Sequence, residues 1–208
     1  METQFIYSKN VLEFTTVAAE TCLFLENTRA LTKEDFVQKS IKLLPLVYLK
    51  TTLINSEELD VDEDAERFVT EEDYLFIKEQ IETLLGADDA FLDTFHPDMQ
   101  YSDTPIAAFI SENLADVYQE LKDFAANYQT AETETMESAL YACIQAFGEH
   151  WGQKLLNALR ALHALRYSDS FGEGDDKDHF SANEYRKLDR NSFLRFQTED
   201  DNDDEDEI

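Results

Sequence analysis

The chain has 208 residues, with 46 acidic against 17 basic side chains, a formal net charge of −29 and 43% hydrophobic content. Fifteen Phe and nine Tyr suffice for a real core, whereas the charge opposes phosphate backbones and anionic membranes, so neither nucleic acid nor a membrane is expected as a partner. With 5 Gly, 3 Pro and apolar residues recurring at threes and fours rather than twos, the expected class is all-α, a compact bundle of about five to six helices.

The opening "METQFIYSKN" has no apolar run fit for a signal peptide, and no later segment approaches the roughly 20 apolar residues of a membrane span, so a cytoplasmic address is expected. Asn10, with Glu13 three residues on, marks the start of a first helix that carries Val11, Phe14, Ala18, Cys22 and Leu25 on one face and ends near Asn27. Thr32 with Asp35 opens a second, through Val37, Ile41, Leu44 and Tyr48. Pro45 removes a backbone donor from it, predicting a kink or a break into two pieces.

Residues 56 to 73 hold ten acids and one base, which reads as a solvated loop, and Thr70 with Asp73 then caps a third helix that Gly86 closes. "ADDAFLDTFHPDMQYSDTP" follows as a long irregular loop, packed down by Phe91, Leu92, Phe95, Met99 and Tyr101. Thr104 before Pro105 is the cap-then-first-turn order of a fourth helix, whose seam runs Ile106, Ile110, Leu114, Val117, Leu121, Phe124 and Tyr128. The last pattern, from Met136 through Leu140, Cys143, Phe147, Trp151, Leu155, Ala158 and Leu162 to Leu165, keeps its phase across Gly148 and Gly152, so one long helix bent at the glycines is expected. After Tyr167 the composition shifts: residues 168 to 208 hold 15 acids and 5 bases and read as an acidic tail, largely disordered, with a short helix at 182 to 191. The domain boundary is set at 167.

"DMQYSDTPIAAFISENLADVYQELKDF" (98 to 124), "HWGQKLLNALRALHALRY" (150 to 167) and "LLPLVYLK" (43 to 50) resemble the bacterial family catalogued as Domain of Unknown Function 5063, and with the helices between them the resemblance covers about residues 5 to 167. It implies a compact α-helical domain of cytoplasmic proteins. It carries over no activity.

Gln153, Asn157, Arg160 and His163 fall on one arc of the last helix, opposite Trp151, Leu155, Ala158 and Leu162. Amphipathic helices routinely carry such a solvated face, and the late cations suit the helix dipole. Yet residues 150 to 168 contain no acid, and neither do residues 36 to 56, which carry Lys39, Lys42 and Lys50. Two such helices suit either an anion site built from Lys50, Gln153, Asn157, Arg160 and His163, or ion pairs with Glu112, Asp116 and Asp123 of the fourth helix.

Glu112 and Asp116 at i and i+4 also suit acid–base or metal work, but no Glu stands three residues before a His, and His96 with Asp98 and Asp103 matches no zinc or calcium spacing. Neither a metal nor a cofactor is expected. Cys22 and Cys143 are isolated and read as buried thiols, and Gly148 with Gly152 as a place where another helix comes close. The leading functional expectation is a non-enzymatic protein-interaction or regulatory module with an unknown protein partner of basic character. The competing one is a small-molecule binding protein, or an enzyme, with an anionic ligand held near the last long helix.

Overall fold

The computed structural model describes residues 5 to 55, 59, 65 to 93, 106 to 168 and 171. Among the described residues six α-helices run in chain order: α1 (Lys9–Glu26), α2 (Lys33–Thr52), α3 (Glu71–Leu85), α4 (Ile110–Tyr128), α5 (Thr133–Ala146) and α6 (Gly152–Arg166). A π-helical turn, Phe147–Trp151, joins the last two without a break. Two short strands, β1 (Ala90–Asp93) and β2 (Ile106–Phe109), pair antiparallel with Phe91 opposite Ala108. The all-α expectation holds, with this small ladder added.

α4 is the central rod, packed against α1, α3, α5 and α6, while α2 lies against α1 and α6. Its seam is where the spacing placed it: Ile110, Leu114, Val117, Leu121 and Phe124 are all buried. Phe124 meets Phe14 of α1 with ring centroids 5.0 Å apart, and Phe24 of α1 stacks on Phe36 of α2 at 5.4 Å. Burying a side chain of this size contributes about 1.5 to 3 kcal/mol, so the seam is a substantial part of the fold's apolar stabilisation.

Two capping predictions hold at atomic detail. The Asp35 amide donates to Thr32 Oγ1 at 3.1 Å, and Thr70 with Asp73 forms a complete capping box, the Thr70 amide donating to Asp73 Oδ2 at 3.0 Å. Asn10, by contrast, is not a cap. α1 begins one residue earlier, after Ser8, and the Asn10 amide group instead donates to the Leu53 carbonyl at 3.1 Å, tying α1 to the end of α2. Nor does Pro45 break its helix. α2 is continuous from Lys33 to Thr52, and Pro45 sits on its exposed side, where the Ile41 carbonyl that proline leaves without a donor is open to solvent.

The start of α4 is displaced from Thr104. Residues 106 to 109 are strand, and the helix begins at Ile110, because its first turn is capped from elsewhere in the chain. Asp89 accepts from the Ser111 amide and from the Ser111 hydroxyl, each at 2.7 Å, satisfying a donor that an uncapped helix start would leave without a partner. Burial pushes the Asp89 carboxyl above its usual range, against the two Ser111 bonds that favour its charge. The loop expected between Gly86 and the fourth helix therefore contains β1. Its residues 94 to 105, including His96, Asp98, Asp103, Thr104 and Pro105, lie outside the described residues, as does the short helix expected at 182 to 191.

Gly152 has a different use from the one its spacing suggested. Its amide bonds to the Phe147 carbonyl five residues back, and a Cβ there would stand 2.5 Å from that oxygen, so the close approach is made within this helix and not by a neighbour. Gly148 has open space around its would-be Cβ. The turn also places Trp151, fully buried, to donate its indole N–H to the Cys143 carbonyl at 2.9 Å and to meet Phe147 edge-on at 4.7 Å.

Two pairs of substitutions test these assignments. Gly152→Ala should destabilise the protein by more than about 1 kcal/mol in urea unfolding, whereas Gly148→Ala should be neutral or stabilising by up to about 1 kcal/mol, as alanine in an unobstructed helix is. Asp89→Ala should cost about 1 to 2 kcal/mol by stranding the Ser111 amide. Asp89→Asn, which keeps an acceptor, should cost less than half of that loss; equal losses would show that Asp89 does not cap α4.

Candidate functional site

The site is assembled from α4 outward. Asp123, buried on α4, accepts from the backbone amides of Phe68 and Val69 at 2.7 and 2.8 Å. Arg67 bridges Glu120 at 2.9 Å and Asp123 at 3.4 Å, and the Asn127 side chain donates to the Glu66 carbonyl at 2.8 Å. Two side chains of one helix, Asp123 and Asn127, thus hold the backbone of residues 66 to 69 while Glu120 holds the Arg67 side chain, and the capping box at Thr70 launches α3 directly from that anchor. The Glu120 carboxylate, with Asp123 behind it, raises the Arg67 guanidinium above its ordinary range.

This arrangement leaves a depression of about 360 Å³ between α1, α3 and α4. Phe68, Val69 and Phe76 form its apolar wall, and Glu26, Asp73, Tyr118 and Lys122 its polar one. Phe68 and Phe76 are both exposed, and the Arg29 guanidinium lies over the Phe76 ring at 4.8 Å. Glu26 Oε1 accepts from the Tyr118 hydroxyl at 2.9 Å and from Lys122 at 2.6 Å. Burial and then the Glu26 bond push the Tyr118 phenol far up, and the same carboxylate keeps the Lys122 ammonium above its usual range. Bonds from Thr70 hold Asp73 below the usual carboxylate range. Each titratable wall group shifted here is thus held in the charge state that it already has at neutral pH, which suits recognition better than proton transfer.

The five side chains proposed from the sequence do not share one set of bonds. Lys50 donates to Glu13 of α1 at 2.6 Å. Gln153 donates to Asn157 at 3.2 Å along the exposed side of α6, Arg160 is exposed, and His163 is exposed with its ring 4.7 Å from that of Tyr167. The carboxylates of α4 also divide. Glu112 pairs with Lys78 of α3 at 2.7 Å, Asp116 accepts from the Tyr74 hydroxyl at 2.9 Å and pairs with Lys154 at 3.1 Å, and Asp123 serves the 66 to 69 stretch. The His150 ring nitrogen lies 3.7 Å from Asp116. Of the acid-free stretch, Lys154 and His150 thus meet Asp116.

Cys22 and Cys143 are buried free thiols, as expected; burial pushes the Cys22 thiol up to about 12 and the Cys143 thiol well above its ordinary value, so both stay protonated and unreactive. Among the described residues no three His, Cys, Asp or Glu side chains gather as a metal would need, and no helix is long and apolar enough to cross a membrane. The depression lay beyond sequence reasoning, because its parts come from residues 26, 68 to 76 and 118 to 122. The signal that reached furthest was the capping box at Thr70, which fixes where α3 begins but not what it faces.

No curated protein matches the chain. Among solved structures it is similar to the crystal structure of protein BF1032 from Bacteroides fragilis, with 38% identity and a TM-score of 0.70, over 84% of this chain and 100% of that one. The family model described as "Domain of unknown function (DUF5063)" matches residues 5 to 168, which takes in every helix from α1 to α6. The three blocks that carried the resemblance in the sequence all fall inside that match, and the chain belongs to the DUF5063 family.

Proposed function

We propose that this domain is a non-enzymatic interaction module that receives a basic segment of a partner protein in the depression between α1, α3 and α4. One observation carries the reading: Phe68 and Phe76 stand exposed inside a surface of carboxylates. α3, which forms one bank, has Glu71, Glu72, Asp73, Glu79 and Glu82 against the single base Lys78. An apolar pair set among acids attracts a cationic chain and seats an aliphatic or aromatic anchor from it, and Arg29 over Phe76 already displays the cation-on-ring contact that such a chain would repeat. The wall's titratable groups support binding over catalysis, because Asp73 is engaged in the capping box and Glu26 in its bonds to Tyr118 and Lys122. A cytoplasmic address and a regulatory role belong to this proposal as well.

Selection of random peptides on the full-length protein tests it. The enriched peptides should combine Lys or Arg with a large apolar residue, and Phe68→Ala and Phe76→Ala should each weaken the selected peptides at least about tenfold, as truncation of an interface anchor does. Arg160→Ala, at a residue that does not line the depression, should leave binding unchanged. Enrichment of acidic peptides, or binding indifferent to both Phe substitutions, defeats the proposal. A thermal shift by an anionic metabolite that Arg160→Ala abolishes would establish the competing ligand site instead.

A further inference from the structure

A second exposed apolar region has the opposite electrostatic surroundings. On the outer side of α2, Leu46, Leu49 and, just past the helix end, Leu53 are 39, 52 and 46% exposed. Their spacing of three and four aligns them as one ridge. Tyr48 meets Phe147 edge-on at 5.2 Å, which puts the C-terminal half of α2 beside the start of α6, so α6 runs back along α2 and presents Leu156, 39% exposed, on its own outer side. Residues 36 to 55 and 150 to 168, which make up nearly all of these two helices, contain no Asp or Glu, in a chain where 46 of 208 residues are acidic. The bases here are largely engaged: Lys50 with Glu13 at 2.6 Å, Lys154 with Asp116 at 3.1 Å, and Arg166 over the Tyr167 ring at 5.6 Å.

We propose that the α2–α6 face is the surface through which two copies of this chain associate, with the Leu46–Leu49–Leu53 ridges packed across a two-fold axis. Two bodies that each carry a charge of −29 repel wherever carboxylates are brought opposite each other, and this face avoids that. A ridge of leucines at helical spacing is complementary to its own copy run antiparallel, as an isologous interface requires. In that arrangement the exposed Lys39 and Lys42 come opposite the C-terminal end of α2 in the other copy, whose helix dipole is negative. A surface about 30 Å long and two helices wide, about 20 Å, gives on the order of 600 Å² per copy. That is near the low end of stable interfaces, so the dimer is reversible and its population depends on concentration. The region around Phe68 and Phe76 does not serve this purpose, because its acids would face their own copies. The inference goes beyond the proposed function and uses a different surface, so either can fail alone.

Sedimentation velocity on the full-length protein, from about 1 to about 100 μM at about 50 and 500 mM NaCl, reads the result directly. The mass should move from one chain toward two as concentration rises. Salt should strengthen the association, because it screens the repulsion between the acidic remainders of the two copies and leaves the apolar contact intact. Leu49→Glu should weaken association at least tenfold with an unchanged melting temperature, and Phe76→Glu should leave it intact. Should Leu49→Glu perturb the fold, Leu53→Glu, beyond the helix end, must show the same loss. A single-chain mass at every concentration and both salts overturns the proposal, and so does a dimer that salt weakens or that both leucine substitutions spare.

Discussion

Everything in this fold depends on how α4 is buried. Twelve of its 19 residues are buried, among them Ser111, Asn113, Asp123 and Asn127, so the helix cannot leave its polar groups to water. Burying such groups without partners costs several kcal/mol for a charge and about 1 to 3 kcal/mol for an amide or hydroxyl. Ser111, Asp123 and the Asn127 side-chain amino group are therefore matched by distant pieces of chain, the Asn113 side chain turns back to the Phe109 carbonyl at 2.8 Å, and the Asn127 side-chain oxygen stays buried without a hydrogen bond. Asp89 closes the first turn, Tyr74 reaches Asp116, the amides of Phe68 and Val69 converge on Asp123, and Asn127 takes the Glu66 carbonyl. These pairings do for the connecting segments what hydrophobic packing does for the helices. They fix the register of α3 and of the strand pair against the central rod, and the candidate depression is a consequence, since Phe68 and Val69 are its wall because Asp123 holds their amides.

A net charge of −29 is a second constraint, and its distribution matters more than its size. Self-repulsion in so acidic a chain weakens the compact state unless the charges lie apart or are compensated. The few bases are placed where they compensate most: Lys50, Arg67, Lys78, Lys122 and Lys154 each join two elements that are distant in sequence, at N–O distances from 2.6 to 3.1 Å. Exposed pairs of this kind contribute at most about 1 kcal/mol each. Their effect is more on orientation than on stability: they fix which helix faces which. Among the described residues, α3 carries five carboxylates beside the Phe68–Phe76 depression, while α2 from Phe36 onward and α6 carry none. The lack of carboxylates after Glu149 is therefore only partly explained by neighbours that supply them, since Asp116 meets Lys154 while most of the outer face of α6 meets solvent.

The capping and periodicity signals in the sequence were read correctly where the structure is locally determined. Thr32 with Asp35 and Thr70 with Asp73 cap because the donor and acceptor are three residues apart, and the α4 seam is buried because its period matches the helix. The failures over helix starts and over Asp123 share one cause. Thr104–Pro105 carries a good local start signal, yet α4 starts at Ile110 because its cap comes from Asp89, 22 residues before Ser111, and because residues 106 to 109 pair with β1. Asn10 has a competent cap side chain, but Leu53 offers it a tertiary partner. Asp123 was legible as a carboxylate beside the seam, but not as the clamp on residues 68 and 69, since nothing near it in sequence names a partner 54 residues away.

The joint between α5 and α6 shows a case in which the sequence held more than its periodicity alone suggests. The buried residues Met136, Leu140, Cys143, Trp151, Leu155, Ala158 and Leu162, with Phe147 packed against them, step by four, three, four, four, four, three and four. Every step of four in a regular helix overshoots a full turn by about 40°, and the three in succession from Cys143 to Leu155 carry the stripe about 120° off its line. A single extra residue in a π turn rotates the helix back by about 100°, which nearly cancels that drift. The π turn at Phe147–Trp151 lies at the centre of those three steps, so the apolar stripe stays on α4 from one end to the other. The glycine it needs is Gly152, whose missing Cβ leaves room for the Phe147 carbonyl. The run of fours and the glycine five residues after Phe147 are therefore two marks of the same turn: the first says how far the helix must be rewound, and the second says where.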